Sequence, residues 1–569
     1  MIAPARTEAR DAMKISADQL LLARAAHWEA KTPDKVFLTQ PHSGGRTTDY
    51  TWRQTMDEAR RMASHLAGLN LPPRSQIALV GKNSAHWIMA DLAIWMAGHV
   101  SVPLYPTLSS ASARTILEHS ESRLLFVGKL DDWPGIRAGV PAGMPLIELP
   151  LAPDTGAQKW QEAIARAAPL ARIAQRDPEE LCTIIYTSGT TGAPKGVMLS
   201  FGGMVAAMVA DPATIEITPQ DRYLSYLPLA HSYERYVGEG VCIYHGMHVY
   251  FAESLESFLV DLQRARPTLF CSVPRLWMKF QAGIHAKVPP EKLQRLLRIP
   301  VVRSLVRRKV LKGLGLDQTR YAASGAAPLA PEVIEWYRRL GLNLLEGYGM
   351  SENHSYSHAS EPDSVRIGYV GRSRPGVETR ISDEGEVLVK SPGMMMGYFK
   401  APEMTAAVIT ADGFLRTGDR GELDEEGRLR ITGRIKELFK TSKGRYVAPT
   451  PIENRLLSAG LLEQCCVTGS SFPQPHAVGV LAENLRAQLA SGRLQQADLT
   501  PRQKSLLDEV NRALESHEQL QFIAVARDVW AIENEFLTPT MKMRRARIEE
   551  HYQPLAERWY ASGQDVIWQ

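Results

Sequence analysis

Cysteine is scarce in this chain, and an excess of either charge is nearly absent. Five cysteines in 569 residues cannot all pair, and none falls in the C-x-x-C spacing of zinc or redox sites. Cys465 and Cys466 are adjacent, while Cys182, Cys242 and Cys271 sit in apolar runs. Buried, reduced thiols in a reducing cytoplasm are the expectation. Lys+Arg number 66 and Asp+Glu 62, a net charge of +4, too small for a dedicated nucleic-acid binder. Long hydrophobic runs are missing too. The most apolar stretch, Trp87 to Leu104, contains Asp91 and His99 and ends at Pro103 and Pro106. A membrane helix needs about 20 apolar residues, so this stretch reads as a buried helix followed by a strand. Met1 to Lys14 is dotted with charge and lacks the apolar centre of a secretory signal. What remains, 44% apolar and 22% charged residues, excludes a disordered, collagenous or coiled-coil chain. Length predicts three or four domains of about 150 residues.

The first third alternates helical and extended patterns. Thr51-Trp-Arg-Gln54 fits a capping box, and Ala59, Met62, Ala63, Leu66 and Leu69 then recur at helical spacing. Apolar runs at 76–81, 100–104 and 124–127 read as buried strands, with helices over 88–97 and up to Ser120 between them. Alternation at this spacing predicts parallel α/β layers. Residues 141–153 are proline-rich and predict an irregular surface connection. From about Arg372 the pattern changes. Short strands at 378–390, 421–423 and 428–432 are split by the turn signals Asp383-Glu-Gly385 and Glu425-Glu-Gly427. The fold class is therefore α/β: a large N-terminal domain over 1–435, built of layered α/β subdomains with a β-barrel-like part at 372–435, and a small α+β domain over 436–569.

The strongest local signal is Cys182-Thr-Ile-Ile-Tyr-Thr-Ser-Gly-Thr-Thr-Gly-Ala-Pro-Lys-Gly196. An apolar strand runs into glycine and hydroxyl residues, then Lys195. Glycine lets the backbone approach an anion closely. Backbone N–H groups and the hydroxyls of Thr187, Ser188, Thr190 and Thr191 are phosphate donors, and Lys195 adds charge. No Gly-Lys-Ser/Thr closes the loop as in a Walker A motif. Composition alone favours a flexible polar turn; the string itself decides otherwise. Thr187-Ser-Gly-Thr-Thr-Gly-Ala-Pro-Lys-Gly196 resembles the AMP-binding signature of the adenylate-forming superfamily. Tyr348-Gly-Met-Ser-Glu352, Asp412-Gly-Phe-Leu-Arg-Thr-Gly-Asp-Arg-Gly421 with Gly433-Arg-Ile-Lys436, and Leu537-Thr-Pro-Thr-Met-Lys542 resemble its further motifs in the family's order.

The resemblance implies two half-reactions. A carboxylate attacks the α-phosphorus of ATP, giving acyl-adenylate and pyrophosphate; a thiol, usually that of coenzyme A, then displaces AMP. An ordinary carboxyl pKa of about 4 means that no general base is needed near neutrality. The site must instead bring two anions together and stabilise developing charge. By resemblance, Thr187, Ser188, Gly189, Thr190, Thr191, Gly192 and Lys195 hold the β- and γ-phosphates. Glu352 is the Mg2+ ligand, a hard-cation role suited to carboxylate and phosphate oxygens. Ser351 replaces the family's usual threonine and still offers a hydroxyl to the α-phosphate. Asp419 accepts both ribose hydroxyls, and Arg434 is the second ribose contact. Ser324, Gly325 and Ala326 line adenine and the acyl entrance. Gly347, Tyr348 and Gly349 flank the base, Tyr348 by stacking. Lys542 is the catalytic lysine. Lys436 sits at the hinge about which the C-terminal domain moves between half-reactions, and Lys440 and Gly444 lie on the face then presented to the thiol. Plainer readings stand beside these: Glu352 as a solvated loop acid, Tyr348 as core packing, Lys542 as part of a basic run with Arg544, Arg545 and Arg547.

Leu227-Pro-Leu-Ala-His-Ser-Tyr-Glu-Arg235 and Ser272-Val-Pro-Arg-Leu-Trp277 resemble the long-chain branch. They imply a fatty acid substrate with His231 beside its carboxylate, although a histidine beside an apolar run is more often structural. An acyl tunnel is worth about 0.8 kcal/mol per buried methylene, and Tyr233, Tyr236, Val241, Ile243 and Tyr244 are candidates for its wall. Residues 287–312 are locally basic, with Pro300 splitting them into two short helices. That surface suits peripheral contact with an anionic membrane, or else is a solvated face packed on the main domain. The expectation is an AMP-forming long-chain fatty acid–CoA ligase using ATP, Mg2+ and coenzyme A, cytoplasmic or peripheral at the inner face of a membrane. Transfer to a carrier-protein thiol, an aryl or medium-chain acid ligase, and a silent lipid- or nucleotide-binding homologue are the alternatives. The presence of Lys542, Glu352 and Asp419 gives the last no support.

Overall fold

The computed structural model describes residues 15–188, 194–210, 215–538 and 541–569. An eight-stranded sheet has the order Gly397–Tyr398, Pro194–Ser200, Leu181–Ser188, Val100–Leu104, Gln76–Val80, Leu124–Val127, Leu146–Glu148, Gln158–Lys159. The six strands from Leu181–Ser188 onward run parallel, as the alternation predicts. The other two close one edge antiparallel. Side chains on a strand alternate between faces. Ile77 and Leu79 pack in one core with the helices Trp52–Gly68 and Ala85–Met96, while Ala78 and Val80 face another with Ser110–His119 and Trp133–Arg137.

Helix Trp52–Gly68 begins at the expected capping box: Gln54 N–H donates to Thr51 Oγ1, and Thr51 N–H to the Gln54 side chain. Ala59, Met62, Ala63 and Leu66 are buried, but Leu69 falls on the C-cap and is 40% exposed. Every residue of Ala85–Met96 is buried, so the apolar stretch from Trp87 is a core helix. Among the described residues no helix is long and apolar enough to cross a membrane. The proline-rich stretch at 141–153 differs from expectation. Leu146–Glu148 joins the sheet beside Leu124–Val127 and buries Ile147. The prolines flank this strand without entering it, so its backbone groups stay free to pair.

A four-stranded sheet, Arg222–Ser225, His248–Phe251, Val36–Pro41, Thr47–Thr51, lies alongside. A nine-stranded sheet begins with three parallel strands, Leu269–Ser272, Tyr321–Ser324 and Leu344–Tyr348. It continues antiparallel through His358–Ala359, Gly371–Ser373, Arg428–Arg434, Leu415–Leu423, Glu386–Lys390 and Glu378–Ile381. The antiparallel strands expected after Arg372 are thus the extension of a parallel sheet. Gly385 and Gly427 supply their left-handed turns, at φ +80° and +75°.

From Phe439 onward the core is separate. Its two clusters include residues of the sheet Leu462–Thr468, His476–Leu481, Ile523–Val525, Val566–Trp568. Cys465 belongs to one cluster and its neighbour Cys466 to the other. All five thiols are free, as expected.

The helical stretch 232–245 has a π-helical middle, Arg235–Val241. Its anchor is a fully buried ion cluster. Arg235 Nη2 meets Asp91 Oδ2 at 2.5 Å and Arg235 Nη1 lies 3.7 Å from Glu239 Oε2. The guanidinium lies 5.4 Å and 5.6 Å from the Trp87 and Trp95 rings. Removing one partner of a buried pair costs about 3 kcal/mol or more. Asp91→Ala should therefore lower the urea midpoint steeply. Asp34→Ala, which removes an exposed pair with Arg53, should cost less than about 1 kcal/mol. Equal shifts in the two variants would refute the anchoring role of Arg235.

Candidate active site

Two sheets place most of the candidate residues. In parallel α/β sheets, ligands bind beyond the carboxyl ends of the strands. Ser324 ends Tyr321–Ser324 and Tyr348 ends Leu344–Tyr348. In the antiparallel extension Asp419 and Arg434 are direct cross-strand partners. In the other sheet, Thr187 and Lys195 face each other across the hairpin that carries the phosphate loop. Gly189, Thr190, Thr191 and Gly192, the centre of that loop, lie outside the described residues, as does the side chain of Ser188.

Two side chains hold the Asp419 carboxylate. Tyr348 Oη donates to its Oδ2 at 2.7 Å, and Arg434 Nε lies 3.1 Å from its Oδ1. Burial pushes the Asp419 carboxyl above its ordinary pKa, opposed by Arg434, Tyr348 and Lys542. Burial also holds the Tyr348 phenol protonated, reinforced by the Asp419 charge. Tyr348 is therefore committed as a donor through its hydroxyl, with its ring at the cavity wall.

Glu352 follows Ser351 in a single 3-10 turn, Ser351–Asn353. Tyr398 Oη donates to Glu352 Oε1 at 2.8 Å, and Met395 N–H donates to the Glu352 carbonyl at 2.7 Å. The Lys195 ammonium lies 5.4 Å from the centre of the Tyr398 ring. Strand Gly397–Tyr398 pairs with the hairpin strand, Tyr398 opposite Val197. One short segment therefore grips both Glu352 and the backbone beside Lys195. Ser351 Oγ is 3.2 Å from Ser232 Oγ, beside His231.

Lys542 comes from the C-terminal core. Its loop is held by Thr538 N–H donating to the Lys542 carbonyl at 2.8 Å and Lys542 N–H donating to Thr538 Oγ1 at 3.1 Å. Its side chain reaches the cavity lined by Asp419, Arg434 and Glu352. Lys542 is open to cavity solvent but surrounded by protein. Loss of bulk water lowers its pKa first and the Arg434 charge next, against the opposing pull of Asp419, Glu352 and Glu437. His231 is held down to about 3 by burial and then by Lys542. Its Nδ1 accepts the Tyr233 N–H at 3.1 Å, which assigns the proton of the neutral ring to Nε2.

These groups share a cavity of about 2660 Å³. Its walls include Thr187, Lys195, His231, Gly325, Ala326, Gly347, Tyr348, Gly349, Ser351 and Glu352 as well as Asp419, Arg434, Lys436 and Lys542. Ser324 stands behind this wall, buried, and its Oγ has no partner among the described residues. Of the expected tunnel residues, Tyr233, Tyr236 and Val241 line the cavity. Ile243 packs in the core, and Tyr244 stacks against Arg24, 4.9 Å from ring centre to guanidinium. Helical turning past Val241 directs them away. Lys440 is exposed on the small hairpin Phe439–Lys440 with Tyr446–Val447, its ammonium 5.6 Å from the Tyr446 ring centre. Like Ser324, Gly444, Ile243 and Tyr244, it does not line the cavity. Among the described residues no cluster of three or more His, Cys, Asp or Glu could cage a metal. A single carboxylate and neighbouring hydroxyls suit Mg2+ delivered with phosphate oxygens, which needs one or two protein ligands.

The cavity sets Lys195, Arg434 and Lys542 together with an apolar wall, an arrangement suited to an anionic ligand with an apolar part. The model for AMP-binding enzymes matches residues 25–399, and that for the C-terminal domain of AMP-binding enzymes matches residues 437–564. This chain belongs to the AMP-binding enzyme family. Among its relatives is the peroxisomal long chain acyl-CoA synthetase 6 of Arabidopsis thaliana, 31% identical over 91% of this chain and 83% of that protein. Another is the long-chain-fatty-acid–CoA ligase FadD15 of Mycobacterium bovis, 30% identical over 92% and 94% of the two chains. The adenylation domain of a carboxylate reductase from Mycobacterium chelonae superimposes with a TM-score of 0.81 at 22% identity, over 98% of this chain and 93% of that one. It shares the fold.

Tyr398 is the residue that sequence reasoning missed. Its partner Glu352 lies 46 positions away, and no local pattern links them; the only signal is an aromatic hydroxyl within Gly397-Tyr398-Phe399. Tyr398→Phe keeps the ring beside Lys195 and removes the hydroxyl from Glu352. Loss of a hydrogen bond to a charged group is worth about 1.5–3 kcal/mol, so the Mg2+ concentration for half-maximal pyrophosphate exchange should rise about tenfold or more. An unchanged Mg2+ requirement would count against the contact. His231 should leave no ionisation near pH 6.5 in the rate profile, because its ring stays neutral across that range; a limb near 6.5 that vanishes in His231→Asn would contradict this.

Proposed function

We propose that this chain is an ATP-dependent, AMP-forming long-chain fatty acid–CoA ligase. The observation that carries the reading is the shared cavity. Lys195, Arg434 and Lys542 gather on its polar side, and Tyr233, Tyr236, Val237 and Val241 give it an aromatic and aliphatic wall. At about 2660 Å³ it exceeds the roughly 300–1,000 Å³ of an ordinary small-ligand pocket, leaving room for a nucleotide and an acyl chain together. The long-chain names of the two relatives favour a fatty acid over an aromatic one.

In the first half-reaction a fatty carboxylate oxygen forms a bond to the α-phosphorus of ATP as the bond to pyrophosphate breaks. Asp419 accepts from the ribose hydroxyls, with Arg434 as the second contact. Tyr348 packs on the base beside Gly347 and Gly349, with Ser324, Gly325 and Ala326 forming the neighbouring segment. Residues 187–192 and Lys195 receive the β- and γ-phosphates. Ser351 and Glu352 would hold Mg2+ and the α-phosphate, and the cation, when bound, supplies neutralisation of phosphate charge. Nε2–H of His231 donates to the carboxylate and orients it. Lys542 puts a cation beside the two anions as they meet. Electrostatic positioning of this kind is the main rate term that such a site can offer.

In the second half-reaction the thiol sulfur of coenzyme A bonds to the acyl carbon, and AMP leaves. We take 1–435 and 436–569 as the two moving bodies, with Lys436 the hinge and Lys440 on the face that turns toward the thiol. The enzyme would work in the cytoplasm, with peripheral contact at an anionic membrane. Acid-dependent AMP release with free coenzyme A tests the reading. Turnover only with a carrier protein would replace it by the carrier alternative, and no turnover with any acid would sink it.

Lys542→Ala should lose adenylate formation by about 10²-fold or more, yet still form thioester from supplied acyl-adenylate. Unchanged pyrophosphate exchange would overturn the assignment. The cationic lysine is the active form, so kcat/KM for ATP should fall as pH rises through its pKa. Burial and Arg434 lower that pKa, so the fall should come below the ordinary lysine value of about 10.4. The residual rate of Lys542→Ala should lack that limb.

A further inference from the structure

The two helices Pro290–Arg298 and Pro300–Leu314 stand apart from the chemistry. Between Pro290 and Leu314 there are eight Lys and Arg against the single acid Glu291, while the whole chain nets +4. No ion pair among the described residues engages any of these eight cations. Only Leu293 in the first helix and Leu314 in the second are buried. The second helix has an inner face, where Val302, Val306 and Val310 follow one another at four-residue spacing and are half-buried. Its outer face carries Val301, 76% exposed, and Leu305, 65% exposed, followed on the same side by Arg308 and Lys312. Ile299, at the bend, is 51% exposed. Packing on the main domain therefore accounts for the inner face and leaves the outer one uncovered.

We propose that this hairpin is a docking surface for an anionic lipid bilayer, with Ile299, Val301 and Leu305 entering the acyl boundary and the cations meeting headgroups. Charge complementarity selects an anionic surface, and solitary large apolar side chains at a helix tip select one that yields to insertion. The place in the fold agrees. The hairpin follows helix Pro274–Lys287, whose Pro274, Arg275 and Met278 line the cavity. A bilayer-dissolved fatty acid would then be presented beside the helix that borders its binding site. This inference rests on the proposed ligase reading for the fatty acid alone; the bilayer contact is measurable without turnover.

Sedimentation with vesicles of phosphatidylcholine, with and without one part in three of phosphatidylglycerol, tests it. Wild type should partition onto the anionic vesicles and lose them at high salt. Replacing Arg303, Arg308, Lys309 and Lys312 by Gln should weaken partition more than about tenfold. The double variant Val301→Ser, Leu305→Ser should lose it as well at unchanged net charge. Both variants should keep the wild-type far-UV circular dichroism and thermal midpoint, which shows that they fold. Equal partition onto neutral vesicles, or variants that bind like wild type, would overturn the proposal. Self-association abolished by the same variants, with no vesicle binding, would assign the face to a second copy of the chain and overturn it too. Vesicle binding without acid-dependent turnover would sink the ligase reading and leave the docking surface standing.

Discussion

The pairing of Asp419 with Arg434 is the contact on which the remaining geometry hangs. A carboxylate removed from water needs compensation, and Asp419 receives it from a residue directly across the ladder and from the Tyr348 phenol. Both partners are fixed by backbone pairing within one nine-stranded sheet. Tyr348 ends a parallel strand and Asp419 sits in the antiparallel extension. The hydrogen bond between them therefore sews the two halves of that sheet together over the cavity mouth. Arg434 is the last residue of its strand, and Lys436 follows at once. The Asp419–Arg434 pair and the proposed hinge are consequently neighbours in the chain.

Around this pair Lys542 meets the Arg434 cation and the carboxylates of Asp419, Glu352 and Glu437. Burial and then Arg434 lower the Lys542 pKa, and burial and then Lys542 lower that of His231. Like charges brought together in a partly dry space raise the energy of each charged form. A bound triphosphate would place negative charge between Arg434 and Lys542, so the repulsion between these two turns into attraction for the ligand. His231 contributes differently. Held neutral, it adds no charge to the site and carries its proton on Nε2.

Much of this was legible in the sequence because local signals coincide with local structure. The capping box at Thr51 begins a helix, and the turn residues Gly385 and Gly427 take left-handed conformations. The apolar run after Trp87 is buried throughout. What could not be read depends on pairing across distance. Leu146–Glu148 is too short to signal a strand and becomes one only because Leu124–Val127 offers an open edge. The continuity of the parallel and antiparallel strands rests on the small connector His358–Ala359. Tyr398 reaches Glu352 through the fold alone. Three of the five residues expected along the acyl wall line the cavity and two do not, for a geometric reason. Tyr233, Tyr236 and Val241 share an outlook that a regular period would have extended to Tyr244, but the π-helical turns between Arg235 and Val241 rotate the later residues into the core.

The division of the cationic groups between two bodies gives the proposed mechanism its order. Arg434 and Lys195 belong to strands of the large sheets, whereas the loop of Lys542 is bonded to Thr538 within the separate core that begins at Phe439. Rotation about Lys436 would carry Lys542 away and leave the Asp419, Arg434 and Tyr348 cluster intact. The adenylate would stay gripped by its ribose and base while the extra cation departs. That suits the chemistry, because the charge at the α-phosphate is greatest when ATP and a carboxylate are forced together and smaller once pyrophosphate has gone. A residue fixed to the main body could not do both: it would hold the first transition state and block the second. A lysine on a C-terminal core that moves as proposed would satisfy the two demands with one side chain.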